Sequence, residues 1–302
     1  MSKAFGFVEY GGPETQEFLD RPVPDPGPGM LLVAVRAAGV NPADWKKRRG
    51  LFGTGGELPV VMGTEASGVV LSVGAGVTGF TPGDQVFGIA PAGAFAEHTL
   101  LAARTTARKP VGVGFAQAAA LPVAGAAAYG GLEQLGLRAG QTLLVLGVSG
   151  GVGTAAAQIA RARGLRVIGT ASGISAAYVR TLGATPVDSK GPVADLVAAA
   201  APEGVDGLLD LVGGDALRAA APALRAGGRL VSTVDRDGAA ALGGGYLAWD
   251  PKGTVLAALA DLVAAGELDP HVSATYPLAH AAEAMAEIES GHARGKLILE
   301  MS

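Results

Sequence analysis

A glycine-rich turn, GVSGGVG at residues 147–153, constrains the fold more than any other feature of the chain. It follows an apolar run, TLLVLG at 142–147, that is typical of a buried strand. After the turn, small and apolar residues recur at helical spacing, at Val152, Ala155, Ala156 and Ile159. Gly164 ends the predicted helix before a second strand-like run, LRVIGTA at 165–171. The turn therefore lies inside a complete strand–helix–strand unit.

Strand-like runs continue to alternate with helical patterns after this unit, at GLLDLV (207–212) and RLVSTV (229–234). Alternation of this kind predicts a parallel α/β sheet, here in a domain over residues 114–266. A glycine turn between a strand and a helix is suited to a dinucleotide pyrophosphate, because the free N–H groups and the helix dipole attract anions. The competing interpretation is a glycine-rich turn that only packs a helix onto a sheet.

The predicted cofactor contacts lie in this turn and after the ends of the later strands. They are Ser149, Gly150, Gly151, Val152, Ser172, Val212, Gly213 and Thr233. An NAD-binding unit places an acidic residue about 20 residues after the loop, whereas the second strand here ends in TASG at 170–173. The missing acid removes a repulsion against a 2′-phosphate, so NADPH is favoured and NADH is the alternative. Arg180 and Lys190 are candidate cations for that phosphate, unless they are solvated surface residues.

The first 113 residues show a different sequence pattern. Apolar runs such as LLVAVRAAGV (31–40) and GVVLSVG (68–74) lie between glycine and proline turns. Glycine recurs too often for helices, so we predict short antiparallel strands in a barrel or sandwich. The fold class is therefore α/β, with a β-rich domain and a doubly wound parallel sheet. The last predicted elements are a helix ending at Gly266, a helix over 279–290 and a strand over 296–300.

Charge and cysteine content exclude several classes of function. The 23 basic and 27 acidic residues give a net charge of −4, which argues against nucleic acid or an anionic membrane as partner. Because the chain has no cysteine, disulfides, thiolate nucleophiles, iron–sulfur clusters and zinc sites with cysteine ligands are excluded. The uncharged stretch 111–132 contains Gln117 and Pro122 and is predicted to be a buried helical connector, not a membrane span. No export or anchoring signal is evident, so we expect a cytoplasmic protein.

Nine motifs occur in a fixed order along the chain. They are VNPADWKKRRG (40–50), GTEASGVVLSVG (63–74), GDQVFG (83–88), GAFAEH (93–98), LPVAGAAAYGGL (121–132), SGGVGTAAAQIAR (149–161), LDLVGG (209–214), GGRLVS (227–232) and GHARGKLIL (291–299). In this order they resemble the zinc-independent quinone oxidoreductases, relatives of ζ-crystallin within the medium-chain dehydrogenase/reductase superfamily. The resemblance implies a GroES-like domain over 1–113 that is rejoined by residues 267–302, a Rossmann domain between them, NADPH in the cleft, and a homodimer.

The resemblance also bears on metal binding and on cofactor preference. Zinc-dependent members place Cys and His at positions that correspond to Asn41 and Thr64, so we expect no catalytic zinc. Close relatives often carry Arg at the position of Ile174, where it would bind the 2′-phosphate. They commonly carry Tyr at the position of Ser189. These two departures weaken the expected preference for NADPH. A third, Ala127 in place of a common Thr, alters the expected nicotinamide or substrate contacts.

Five residues are predicted to line a substrate pocket, namely Asn41, Asp44, Trp45, Phe52 and Tyr129. The resemblance places Asn41 and Asp44 beside the nicotinamide, where Asn41 would bond the cofactor ribose or a substrate carbonyl. The competing interpretation of Asn41 is a turn-forming residue before Pro42, and that of Asp44 is likewise a turn residue. Trp45 and Phe52 are interpreted as packing residues or pocket wall. Tyr129 is either a proton donor or a core tyrosine bonded to a backbone carbonyl.

The sequence identifies no catalytic residue and no general acid. Asp210, inside the apolar strand GLLDLV, is interpreted as a hydrogen-bonded structural carboxylate. The four histidines, His98, His271, His280 and His292, show no metal-ligand spacing. The missing general acid suits quinone reduction, because a reduced quinone can take protons from solvent.

The leading hypothesis is an NADPH-dependent reductase that delivers hydride to a small electrophilic acceptor, either a quinone or the β-carbon of an enone. Both acceptors present a planar π-system that stacks on the nicotinamide. The first alternative is a biosynthetic enoyl reductase with a specialised substrate. The second is a nucleotide-binding structural or regulatory protein with little turnover, which Ile174 supports because it supplies no charge to the 2′-phosphate.

Overall fold

A computed structural model describes residues 1–291 and 293–301. The chain divides into two compact units. Unit 1 comprises Met1–Val123, Pro251–Ala265 and the chain from Pro270 onward, and unit 2 comprises Ala124–Asp250 and Gly266–Asp269. Each is described separately below.

The strands and helices alternate along the chain as follows. The first part contains β1 (Ser2–Phe7), β2 (Gln16–Arg21), β3 (Met30–Val40), α1 (Pro42–Arg48), β4 (Val60–Val61), β5 (Glu65–Val73), β6 (Gln85–Ile89), β7 (His98–Ala102), β8 (Thr106–Arg108) and α2 (Phe115–Ala119). The middle part contains α3 (Ala126–Leu135), β9 (Thr142–Leu146), α4 (Gly151–Ala162), β10 (Arg166–Ala171), α5 (Ala176–Thr181), β11 (Thr185–Asp188), α6 (Val193–Ala200), β12 (Val205–Asp210), α7 (Gly214–Ala220), β13 (Leu224–Ser232), α8 (Arg236–Ala241) and β14 (Gly245–Tyr246). The last part contains α9 (Gly253–Ala264), β15 (Val272–Pro277), α10 (Ala281–Glu289) and β16 (Lys296–Glu300).

Unit 1 is built on two sheets. The larger one has the strand order β15-β16-β3-β5-β6-β8, with β7 also paired to β3, and the smaller one has the order β2-β1-β4. All of these pairings are antiparallel except β15 with β16. Strand β16 pairs with the end of β3, so that Leu297 lies opposite Val40. The C-terminal segment therefore contributes strands to the larger sheet of unit 1.

Unit 2 is built on one parallel sheet with the order β11-β10-β9-β12-β13-β14. Every residue of β9 and β12 is buried, as expected for parallel strands that are covered on both faces. The strand order reverses direction between β10-β9 and β12-β13, which makes β9 and β12 the two sides of a topological switch point. The predicted doubly wound Rossmann sheet is confirmed.

The unit boundaries differ from the predicted ones. The predicted first boundary, between residues 113 and 114, moves to Val123 because α2 packs on β3 and β5. The predicted second boundary, at 266, also moves, because α9 packs on β8 and belongs to unit 1. The apolar periodicity correctly predicted that α9 is a helix, but it does not show which sheet its apolar face packs against.

The stretch 111–132 contains the short helix α2, a π-helical turn over Leu121–Gly125 and the start of α3. Within residues 1–291 and 293–301, no helix is both long and apolar enough to span a bilayer.

Candidate functional site

The glycine loop that joins β9 to α4 is anchored on the neighbouring strand β10. Gly147 has φ of 75°, a conformation that favours glycine, and its N–H donates to Thr170 Oγ1 at 3.0 Å. The N–H of Val148 donates to the Thr170 carbonyl at 3.1 Å, and the Val148 side chain is fully buried. The loop therefore holds its shape through two backbone N–H groups that donate to the side chain and the carbonyl of Thr170, and Val148 takes the place of a glycine because its side chain is part of the core.

Two glycines in this loop have opposite roles. A Cβ at Gly153 would lie 2.5 Å from the carbonyl oxygen of Gly147, so only glycine lets α4 approach the loop this closely. A Cβ at Gly150 would meet nothing nearer than that same oxygen at 3.7 Å, an ordinary van der Waals contact. Gly150 therefore has room for a Cβ at the start of the helix, whereas Gly153 closes the turn.

The N-terminus of α4 suits an anion. The first N–H groups of a helix have no acceptor within the helix, and here they include those of Gly151 and Val152. Together with the helix dipole they attract negative charge. The residues present fit the pyrophosphate of a dinucleotide, with Gly150 leaving the space that it would occupy.

The predicted contacts after β12 and β13 are positioned by Asp210. This carboxylate is fully buried and accepts the N–H groups of Val212 at 3.0 Å and Gly213 at 2.8 Å. It also accepts the hydroxyl of Ser232 at 2.6 Å, while its backbone carbonyl accepts the N–H of Thr233 at 2.9 Å. Asp210 is thus a structural carboxylate, as predicted, and it fixes both strand ends at the edge where the glycine loop lies.

Ser172 begins a 3-10 turn, Gly173–Ser175, at the same edge of the sheet. Its hydroxyl lies 3.3 Å from that of Ser175. Ile174 is 80% exposed, and Arg180 and Lys190 are exposed as well. A phosphate at this turn would meet one serine hydroxyl and an apolar side chain rather than a preformed pair of cations.

In unit 1, five polar side chains form a cluster made of Asn41, Asp44, Thr64, Glu65 and Lys296. Lys296 Nζ donates to Glu65 Oε1 at 2.6 Å and to Asn41 Oδ1 at 2.7 Å. Asn41 Nδ2 donates to Glu65 Oε1 at 2.8 Å. The amide of Asn41 is therefore hydrogen-bonded within this buried cluster through both its nitrogen and its oxygen, and its contact with a cofactor ribose or a substrate carbonyl stays a prediction.

Asp44 stabilises the start of α1. Its Oδ2 accepts the backbone N–H of Asn41 at 2.8 Å, and its Oδ1 accepts the hydroxyl of Thr64 at 3.1 Å. Burial raises the pKa of Asp44 to about 7; the bond from Asn41 and the charge of Lys296 lower it, and the charge of Glu65 raises it. A carboxyl in this state holds a proton at neutral pH far more readily than an exposed aspartate.

The remaining predicted pocket residues do not join this cluster. Trp45 packs against the core of unit 1, with Arg49 over its ring at 5.5 Å, which agrees with the packing interpretation. Phe52 is 67% exposed, so it is not a packing residue. Tyr129 lies in unit 2, where Arg163 stacks on its ring at 4.8 Å. Arg163 follows the last turn of α4, at the end of the helix opposite to the glycine loop. The pocket role of Tyr129 stays a prediction.

Glu65 and Lys296 are the functional residues that sequence reasoning missed. Both lie in motifs that carry the resemblance, but neither received a role. The sequence offered one clue, since Lys296 is followed directly by the three apolar residues of KLILE and a buried charge requires a partner. The partner itself could not be named from the sequence, because it lies 231 positions away.

His98 and His280 lie beside different polar residues. His98 Nδ1 lies 3.2 Å from the hydroxyl of Ser2, and His280 Nδ1 lies 2.8 Å from Glu283. His292 lies outside the described residues. Across the part of the chain that the structure describes, no three His, Asp or Glu side chains are grouped so as to hold a metal ion.

We expect the activity of the protein to be independent of zinc. Asn41 and Thr64, at the positions of the zinc ligands in metal-dependent relatives, are hydrogen-bonded within the cluster, and the chain has no cysteine. Exhaustive chelation followed by an activity assay measures this. Loss of turnover that zinc restores, while magnesium does not, would contradict the expectation.

We also expect Asp44 to make stability depend on pH. The folded chain holds this proton up to pH of about 7, whereas an unfolded chain releases it near its ordinary pKa of 3.8. Between these values the folded state binds more protons, so stability is lost as pH rises, by about 1.4 kcal/mol per pH unit at most. Urea unfolding of the wild type and Asp44→Asn from pH 5 to 8 isolates this effect. Parallel stability profiles of the two proteins would contradict it.

Two family models match the chain. Residues 27–129 match the alcohol dehydrogenase GroES-like domain, and residues 182–299 match a family described as zinc-binding dehydrogenase. The first match confirms the predicted GroES-like character of the β-rich part.

Known relatives cover nearly the whole chain. An NADPH-dependent alkenal/one oxidoreductase, chloroplastic, from Arabidopsis thaliana is 32% identical over 98% of this chain and 79% of its own length. A quinone oxidoreductase from Coxiella burnetii superimposes with a TM-score of 0.91 at 30% identity, over 100% of this chain and 99% of its own. A mycobacterial protein complexed with NADPH superimposes with a TM-score of 0.89 at 29% identity, over 99% of this chain and 100% of its own.

Proposed function

Because the chain belongs to the medium-chain dehydrogenase/reductase superfamily, and within it to the zinc-independent quinone oxidoreductase-like group, we propose that it reduces small electrophilic acceptors with NADPH. The acceptors are quinones or enones. This proposal follows the activities named for the relatives in Arabidopsis thaliana and Coxiella burnetii. The two alternatives, a specialised biosynthetic enoyl reductase and a nucleotide-binding protein with little turnover, are not favoured by these relatives.

The glycine loop is the observation that carries the proposal. The N–H groups of Gly151 and Val152 bind the pyrophosphate at the N-terminus of α4, while Gly150 leaves room for it. Val212 and Gly213, held by Asp210, continue the binding edge across the switch point of the sheet. When bound, NADPH supplies the hydride, and the protein supplies position and electrostatics.

A turnover screen tests the proposed function. NADPH oxidation is followed by absorbance with a panel of quinones and a panel of enones, each against an acceptor-free control. We expect turnover with at least one acceptor class, and the ratio between the classes identifies the preferred chemistry. If NADPH binds but no acceptor in either panel is reduced, the nucleotide-binding alternative replaces the proposal.

The preference for NADPH over NADH is expected to be weak and to rise in Ile174→Arg. The exposed Ile174 lies beside Ser172, where a guanidinium would reach the 2′-phosphate through charge-assisted bonds. Such a bond contributes about 1.5–3 kcal/mol, so the ratio of kcat/KM for the two cofactors should rise about 10-fold or more. Ile174→Lys tests charge without the guanidinium fork. An unchanged ratio in Ile174→Arg, or a wild type that prefers NADH, would place the phosphate elsewhere.

We propose in addition that the protein is a cytoplasmic homodimer. Light scattering at several concentrations tests the dimer, and cell fractionation tests the compartment.

A further inference from the structure

A cavity of about 460 Å³ lies in unit 2 where the parallel strands begin, and cavities of this size hold small organic ligands. Its polar lining comes from the residues before or at the start of β9, β10, β12 and β13, namely Gln141, Arg166, Glu203, Asp206 and Arg225. The glycine loop follows the opposite end of β9, and five strand residues at about 3.3 Å each lie between. The cavity is therefore separate from the candidate cofactor site.

Asp206 is the buried charge of this cavity, with 8% of its surface exposed. Its Oδ2 accepts the N–H of Thr142 at 2.7 Å, and its Oδ1 accepts Gln141 Nε2 at 2.7 Å as well as Arg225 Nη2. Burial raises the pKa of Asp206, but the bonds from Thr142 and Gln141 lower it. The charges of Arg225 and Arg166 lower this pKa further, so that it lies below its usual value. Asp206 is therefore a fixed negative charge that holds Arg225 in place.

Arg166 is the cation of the cavity that has no bonded partner. Its side chain is exposed, and in the part of the chain that the structure describes its guanidinium makes no hydrogen bond or ion pair. Asp206 does not require it, since that carboxylate already accepts three other donors. Arg225 bonds Asp206 through Nη2 only, and its side chain is 47% exposed. Because a guanidinium carries five N–H donors, both arginines have donors left for a ligand.

We propose that this cavity binds the phosphate group of a small phosphorylated metabolite, with Arg166 as its principal partner and Arg225 as the second. The planar guanidinium donates two parallel hydrogen bonds to phosphate oxygens, which an ammonium cannot do. A phosphate monoester carries a charge of about −1.5 to −2 at pH 7, so it matches two arginines better than a carboxylate does. The site goes beyond the proposed function, because no step of hydride transfer uses it.

Glu203 is the charge of the cavity that opposes an anion. It lies in the loop before β12, its side chain is exposed, and none of the described residues forms an ion pair with it. Its carboxylate therefore repels a phosphate without being neutralised by a bonded cation. Removal of this charge should strengthen phosphate binding, whereas removal of the charge of Arg166 should weaken it.

Calorimetric titration with inorganic phosphate at pH 7 and constant ionic strength tests the site. The wild type should bind one phosphate with the same affinity in the absence and in the presence of saturating NADPH, which fills the cofactor site. Arg166→Gln should weaken this binding about 10-fold or more, because charge-assisted bonds are lost. Arg166→Lys should give an intermediate affinity, and Glu203→Gln should bind more tightly than the wild type. The matched control is Arg218→Gln, since Arg218 is an exposed arginine of unit 2 that bonds Asp215 and should not affect phosphate binding.

Three further probes test the class of ligand. Glycerol 3-phosphate should bind at least as tightly as inorganic phosphate, acetate should bind more weakly, and glycerol should not bind. Acetate that binds as tightly as phosphate would overturn the assignment to phosphate. The site itself would be overturned by a wild type that binds no phosphate, by equal affinities in Arg166→Gln and the wild type, or by loss of phosphate binding when NADPH is added.

Discussion

Replacing Gly150 with Val is expected to abolish NADPH binding without unfolding the protein. The added Cβ is tolerated at the start of α4, because the nearest atom to it would be 3.7 Å away. Gly150 has φ of −79° and ψ of 172°, which any residue adopts, so the backbone is not strained. The side chain then occupies the path of the pyrophosphate. Fluorescence titration with NADPH and the thermal unfolding midpoint measure the two effects.

Two further glycine variants make this result specific. Gly153→Val should lower the unfolding midpoint strongly, because its Cβ would lie 2.5 Å from the Gly147 carbonyl oxygen. Gly27→Val should change neither binding nor stability, since no atom lies within 4 Å of a Cβ at that position. A folded Gly150→Val protein that binds NADPH with unchanged affinity would contradict the assignment of the loop.

The Lys296→Met variant is expected to lose about 3–5 kcal/mol of unfolding free energy. The ammonium of Lys296 is buried and bonds Glu65 at 2.6 Å, so its removal leaves a carboxylate buried without a cation. Met keeps most of the length of the apolar stem. Urea unfolding at pH 7 measures the loss.

A second substitution distinguishes lost charge balance from lost packing. In Lys296→Met/Glu65→Gln no uncompensated charge is buried, so most of the stability should return. The matched control is Arg218→Met, which removes an exposed ion pair with Asp215 and should have little effect. If Lys296→Met were no more destabilising than Arg218→Met, or if the double variant were less stable than the single one, the cluster would not depend on charge pairing.

The fold could be predicted because local pattern and topology agree in unit 2. The apolar run 142–147 predicted β9, and the helical spacing of small and apolar residues after it predicted α4. Asp210 was assigned a structural role because a carboxylate inside an apolar strand needs hydrogen-bond donors. The irregular glycine pattern also has a physical explanation. Gly147 supplies the positive φ, while Val148 is turned into the core.

The polar cluster could not be predicted because it depends on strand register. Leu297 lies opposite Val40 and Gly39 lies opposite Glu65, and these two pairings bring Lys296 to Glu65 from distant parts of the chain. Only this register shows that the amide of Asn41 is hydrogen-bonded within the cluster. The exposure of Phe52 could not be predicted, because an aromatic residue in a glycine-rich loop has no periodicity that reports its burial; of its two interpretations, pocket wall stays a prediction.

Transfer of deuterium from stereospecifically labelled NADPH to an enone tests the central claim most directly. In unlabelled water, one of the two C4-labelled forms of NADPH should yield a product with deuterium at the β-carbon, while the other form should yield none. The α-position should carry only solvent hydrogen, and Gly150→Val should form no labelled product. Oxidation of NADPH without deuterium in the organic product, or with label from both forms, would contradict direct hydride transfer from a cofactor held at the glycine loop.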